Sequence, residues 1–256
     1  MNRFRGLAVA SLSMTCGLLL TSPANTQEIA PTQDAERHFD ARQDLNRSFS
    51  AARSAATVQP QAIQGLTANI EELTVESNDV TGAVSTLSSQ RGYLTGAASG
   101  KPTDLATAFI RSNVAALGLE ASDLQGYVVS DVVYSPVTGA THIYLQQRHA
   151  GIRVYNAQLQ VNVNREGRII SVNNSFLPGL AQSVTSLKPR MQLPAAVKVA
   201  AQFSGLSVPT QLRALQSTAG PQQATRLSHE GLSLEPINGR LMLLPIRRGE
   251  ARLVWN

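Results

Sequence analysis

The residues of this 256-residue sequence best suited to metal or nucleophilic chemistry are four histidines and one cysteine. A zinc hydrolase helix needs histidines at i and i+4 on one face, with a glutamate after the first acting as base. His229, Glu230, Gly231, Leu232 and Ser233 supply the first half of that pattern, but a serine stands where the second histidine must be. Gly231 also weakens a helix there. His142 and His149 fall on opposite faces of one expected strand, so they cannot share a metal unless the strand bulges. His38 stands alone in a polar stretch. Residues 96–101 (Gly-Ala-Ala-Ser-Gly-Lys) approach a phosphate loop but are one residue short, and Pro102 takes the place of the magnesium-binding hydroxyl. Neither a Gly-x-Ser-x-Gly elbow nor a Gly-x-Gly-x-x-Gly fingerprint occurs. Glu71 and Glu72 have no basic or apolar setting to turn them into an acid–base pair. The expectation is a chain with no catalytic residue, no metal ligand and no cofactor of its own.

Residues 1–24 read as a secretory signal: Arg3 and Arg5 precede an apolar run over 7–20, and Ser22, Pro23 and Ala24 offer a cleavage site. The run is shorter than the about 20 residues of a spanning helix. An uncleaved anchor is one alternative. A lipoprotein attached at Cys16 is another, although Ser13, Met14 and Thr15 form a poor approach to it. Cleavage after Ala24 removes the only cysteine, which suits an oxidising compartment. The expected location is therefore secreted, extracellular or periplasmic, with no membrane association after cleavage.

Beyond the leader, residues 25–100 carry a net charge of −4 and residues 101–256 one of +7. The basic groups are mostly arginine, without a dense run interleaved with aromatics, so nucleic acid is not an expected partner. Asn46 and Asn173 head matches to the N-glycosylation pattern.

Several elements can be placed from pattern alone. Residues 25–69 read as a polar linker, with Leu45 and Phe49 supplying at most one short helix. Short strands are expected over 70–84. The clearest helix covers 101–119: Pro102 suits its start, Asp104 its positive end, and Gly118 its termination. Strands follow at 127–134, 142–149, 158–164 and 168–176. In the third of these, Leu159, Val161 and Val163 share one face, and Gln158, Gln160, Asn162 and Asn164 share the other. The class is α+β: an antiparallel sheet with a helix packed on one face. A second, truncated α+β unit spans 191–256, with a helix over 195–203, a weak strand at Leu232 and Leu234, and strands at 240–246 and 251–255.

Tyr144, Gln146, Gln147, Gly151, Val154, Tyr155, Asn156, Ala157, Val161, Val163 and Gly167 resemble, in type and spacing, the fungalysin/thermolysin propeptide (FTP) motif. The fungalysin branch of secreted zinc metallopeptidases is the nearest fit. Tyr93, Leu94 and Gly96, the helix from Asp104, and Asp123 with Leu124 resemble the stretch before that motif. Leu243, Pro245 and Arg252 to Trp255 resemble the closing strands of a PepSY-type domain. Arg153 departs from a frequent proline and Asn156 from a frequent glycine. After the signal peptide at 1–24 and the linker at 25–69, the resemblance implies an FTP-like domain at 70–190 and a partial PepSY-like domain at 191–256.

The resemblance further implies a propeptide that assists folding of a zinc peptidase domain and inhibits it, in cis or in trans. Zinc is expected only in that peptidase domain, which this sequence does not contain; it has no His-Glu-x-x-His. A metallopeptidase precursor fragment is one alternative reading. The other is a cell-surface or extracellular interaction module using an exposed sheet edge around 142–155, since free edges invite strand addition. Within the motif, Gly151 is expected to permit a hairpin turn and Val154 and Tyr155 to enter the sheet. Gln146 and Gln147 are expected on opposite faces, one of them bonding at the sheet edge.

Overall fold

A computed structural model describes residues 60–79 and 81–256 of the chain. The expected leader, the linker as far as residue 59, the helix around Leu45 and Phe49, and His38 lie outside the described residues. The linker reading also covered 60–69. There the chain instead forms α1 (Pro60–Thr67), whose Ile63 and Leu66 rest against the main core. Two strands follow, β1 (Leu73–Ser77) and β2 (Val84–Ser89).

Helix α2 (Pro102–Ser112) starts where proline and the acidic first turn place it. It stops earlier than the expected 119. Asn113 leaves helical geometry and its side-chain amide donates to the Phe109 carbonyl at 2.8 Å. The chain then turns through Gly118, at φ 71°, into a short 3-10 turn (Ala121–Leu124).

Strands β3 (Val128–Tyr134), β4 (Thr141–His149), β5 (Ile152–Val163) and β6 (Ile169–Asn174) make the antiparallel meander anticipated from alternation. β6 continues the sheet onto β2 and β1. Leu145, Leu159, Val161 and Val172 on this sheet enclose Ile110 of α2 and Leu117, all essentially without solvent contact. One expectation fails here. The segment 142–155 is no edge, because β4 pairs with β3 on one side and β5 on the other. The edge is β3, which pairs only with β4 among the described residues.

After a short α3 (Leu180–Ser183) and α4 (Leu193–Phe203), a small sheet forms from β7 (Ala214–Ser217), β8 (Thr225–Leu227) and β9 (Ile237–Gly239). No strand forms at Leu232 and Leu234. Glu230 at φ 42° and Gly231 at φ 83° turn the chain there, and Leu234 is fully exposed. The hairpin of β10 (Leu241–Arg247) and β11 (Glu250–Trp255) then returns to the large sheet, with Leu243 of β10 parallel to Val154 of β5. A second apolar cluster closes around that contact, including Val154, Ala157, Leu177, Leu180, Leu243 and Ala251.

Glu250 pins the hairpin's turn. One carboxylate oxygen accepts from Arg252 Nε and Nη2 at 2.6 Å each, the other from Arg247 Nε at 2.8 Å. The Arg252 hydrogen bond, aided by the charges of both arginines, holds this carboxyl below its usual 4.5 despite the opposing desolvation. Its stabilisation is therefore complete above the unfolded value near 4.5 and is lost as pH falls through the lower folded value. Urea midpoints of the protein and of Glu250→Gln should differ at about pH 6 and converge by about pH 2. An equal gap at both pH values would contradict the assignment.

Candidate functional site at the bulged hairpin

The motif residues, Gly167 apart, gather on the β4–β5 hairpin. Ala150 at φ 48° and Gly151 at φ 78° make its two-residue turn, the geometry whose twist matches antiparallel strands. Below the turn the ladder is interrupted. Gln146 faces Gln158 and Arg148 faces Arg153, so Gln147 alone stands against Val154, Tyr155, Asn156 and Ala157. Asn156 adopts φ 54°, a conformation asparagine tolerates better than most residues. The inward set of β5 consequently shifts from even positions (Ile152, Val154) to odd ones (Ala157, Leu159, Val161, Val163).

A bulge strips backbone carbonyls of their ladder partners, and buried carbonyls need donors. Gln146 supplies them: its side-chain amide donates to the Val154 carbonyl at 2.8 Å, to that of Ala157 at 2.9 Å and to that of Gln147 at 3.2 Å. Gln147 reaches out of the ladder. Its Oε1 accepts from the Leu177 N–H at 2.8 Å and its Nε2 donates to the Leu177 carbonyl at 3.0 Å. Both glutamines are buried and both bond to backbone, where alternation alone had put only one of them to use.

Tyr144 lies on the polar face, where its hydroxyl accepts from Gln160 Nε2 at 3.3 Å. Gln160 also donates to Asn162 Oδ1, which lies 2.6 Å from His142 Nδ1, and Asn162 donates to Ser171. His142 is thus half-buried in an amide network. Val154 is wholly buried, and Tyr155 and Asn156 are exposed at the bulge. Gly167 sits apart in the β5–β6 turn against the backbone of Ala98. The loop that resembled a phosphate cradle is in fact a buttress, with the Ala98 N–H donating to the Glu166 carbonyl at 3.1 Å.

Two residues tie distant segments together in a way the sequence reading did not anticipate. Asp123 accepts from the N–H groups of Glu120, Gly179 and Leu180 at 2.9 to 3.1 Å, joining the 3-10 turn to α3. Asn174, read only as part of a glycosylation triplet, is buried. It donates to the Val84 carbonyl and accepts from the Phe176 N–H, both at 2.9 Å.

The stretch at His229 does not form the zinc-binding helix pattern. Glu230 and Gly231 lie in a turn rather than a helix. Among the described residues no three histidine, cysteine, aspartate or glutamate side chains gather closely enough to hold a metal. No described helix is long and apolar enough to cross a membrane. The arrangement offers a shaped surface: a hydrogen-bonded bulge presenting Tyr155 and Asn156 on β5, with β3 on the far side of β4.

Residues 125–176, from the approach to β3 to just past β6, match the Fungalysin/Thermolysin Propeptide Motif. The chain is 32% identical over 134 residues to an extracellular metalloproteinase of Pyrenophora tritici-repentis, covering 50% of this chain and 20% of that protein. It is 26% identical over 156 residues to extracellular metalloproteinase 10 of Coccidioides posadasii, covering 61% and 23%. Extracellular metalloproteinase MEP of Leptosphaeria maculans is 30% identical over 137 residues, covering 52% and 21%. The chain thus spans about a fifth of the length of these curated relatives.

Proposed function

We propose, from the premise that residues 125–176 are a propeptide motif of the fungalysin type, that the chain is an exported module that binds a zinc metallopeptidase domain. Bound in cis or in trans, it assists folding of that domain and covers its cleft. Export would follow from the leader at 1–24 and would place the module outside the cell or in a periplasm. The observation carrying this reading is the match itself, which falls on the bulged hairpin and its neighbouring strands and so on a surface-building element.

Strand β3 supports a macromolecular partner. Val129 stands opposite Leu145 and Val132 opposite Ile143, so both lie on the core-facing side of the sheet. Each is nevertheless 46% exposed, and Tyr134 60%, because α2 packs across β4 and β5. An apolar strip beside a free strand edge is a docking surface that a partner strand or loop can cover.

Adding the chain from residue 25 onward to a fungalysin-type catalytic domain should slow casein hydrolysis and raise the yield of refolded peptidase. No effect on either rejects the proposal. Val132→Asp should weaken inhibition at least about tenfold while leaving stability within about 0.5 kcal/mol. A second reading, an extracellular interaction module without a peptidase partner, draws on the same exposed strand. It gains if the chain binds another extracellular protein through β3 while peptidase rate and refolding stay unchanged.

A further inference from the structure

Arg148 and Arg153 face each other directly across the β4–β5 ladder, on one face of the hairpin and next to its turn. Like charges so placed repel, and an arginine without an acceptor is a donor fork left open. Neither guanidinium makes a hydrogen bond or ion pair with any described residue. The ion pairs near other arginines are made by Glu71, Glu72, Glu166 and Glu250, none of which reaches this hairpin. The Nε atoms of both arginines are shut off from solvent without a partner, and so is Nε2 of Gln222. All three orphan atoms are donors.

A loop covers two of the three residues, Arg148 and Gln222; Arg153 is not among those lining the space beneath it. Arg148 and Gln222 line one cavity of about 240 Å³, walled by Gly151 and the stretch from Thr218 to Ala224. The loop is held in place by its own backbone: the Thr218 N–H donates to the Ala224 carbonyl and the Leu241 N–H to the Gln222 carbonyl, both at 2.7 Å. Pro221 seats on the hairpin turn so closely that a Cβ at Gly151 would come within 2.9 Å of its ring. Burying unpaired donors costs free energy, and here two of the three belong to residues that line one cavity.

We propose that this cavity binds an oxyanion, a carboxylate or a phosphate group, against the Arg148 guanidinium and the Gln222 amide, with Arg153 facing Arg148 across the ladder as a second positive charge. Arginine's planar fork matches both anions, and one anion beside the facing pair offsets their mutual repulsion. The volume suits a single acidic group and falls below that of pockets for drug-sized ligands, about 300 to 1,000 Å³. The inference is independent of the peptidase reading, because it concerns a ligand of this chain whatever its partner.

The test titrates the chain from residue 25 onward with inorganic phosphate, and separately with a capped peptide carrying one aspartate. Ionic strength is matched with chloride, and thermal midpoint and binding heat are recorded. Either probe should raise the midpoint by mass action. Arg148→Gln and Arg153→Gln should each weaken binding at least about tenfold without lowering the anion-free midpoint, because each removes one of two facing charges. Response to phosphate alone assigns a free tetrahedral anion, to the peptide alone an acidic polypeptide side chain, and to both a general oxyanion cradle; each supports the proposal. Should one variant fail to fold, the other and Gln222→Leu carry the comparison. No response beyond chloride, or a response unchanged in the variants, overturns it.

Discussion

Gly167→Ala should lower the stability of the fold by about 3 to 5 kcal/mol, a large part of the 5 to 15 kcal/mol that holds a typical domain together. Two effects combine. The residue sits at φ 74°, where a side chain costs about 1 to 2 kcal/mol. Its Cβ would also fall 1.9 Å from the Ala98 carbonyl oxygen and 2.9 Å from the carbon. That obstacle is backbone, and it cannot simply swing aside. The Ala98 N–H is bonded to the Glu166 carbonyl, and Asn164 Oδ1 clamps the turn by accepting from the N–H groups of Glu166 and Arg168 at 2.9 Å. Gly249 is the internal control, since it has the same φ of 74° and nothing lies within 4 Å of the place its Cβ would take. Gly249→Ala should cost only the conformational part, about 1 to 2 kcal/mol. Urea denaturation of both variants measures the difference, and equal losses would show that the close approach of the 96–101 loop contributes nothing.

The second large effect is expected at Gln147. Gln147→Met keeps the approximate shape and removes the amide, leaving the N–H and C=O of Leu177 without the partners at 2.8 and 3.0 Å. Leu177 is itself buried, so water cannot replace the lost bonds. Each orphaned buried group costs about 1 to 3 kcal/mol, and the pair together about 2 to 5. Leu177 belongs to the second apolar cluster with Val154 and Leu243, so amide exchange should quicken first along β10 and the start of β5. Gln158→Met, at an exposed position on the same hairpin, should stay within about 0.5 kcal/mol. Equal midpoints for the two variants would mean that the Gln147 bonds contribute nothing to stability.

Both predictions concern residues of the motif, and both treat them as builders of the surface rather than as its contact points. Apart from the turn glycine Gly151, the exposed members are Tyr155 and Asn156, and Val129, Val132 and Tyr134 of β3 are more exposed than Tyr155. A propeptide-type partner surface would then be read through β3 and the bulge, with the glutamines holding the bulge in shape. This separates two kinds of variant. Changes at Gln146, Gln147 or Gly167 act through stability, while changes at Val129, Val132 or Tyr134 act on binding.

What the amino-acid sequence determined by itself was local. Pro102 and Asp104 set the start of α2, Gly151 and Gly167 marked turns, and the alternation of Leu159, Val161 and Val163 assigned the buried face of β5. Such features depend on neighbours a few residues apart, so spacing records them. Tertiary structure alone decided where alternation breaks. At Tyr155 and Asn156 the inward positions change parity, and both glutamines, only one of which was expected to bond, become buried locks. It also decided that β10 lies parallel to β5 at Val154 and Leu243, that β3 rather than β4 is the edge, that Arg148 meets Arg153 across the ladder, and that the loop at Pro221 covers Arg148. Those outcomes arise from pairings between distant segments. Their free energy comes from burying each face against whichever other segment covers it, a quantity no local window contains.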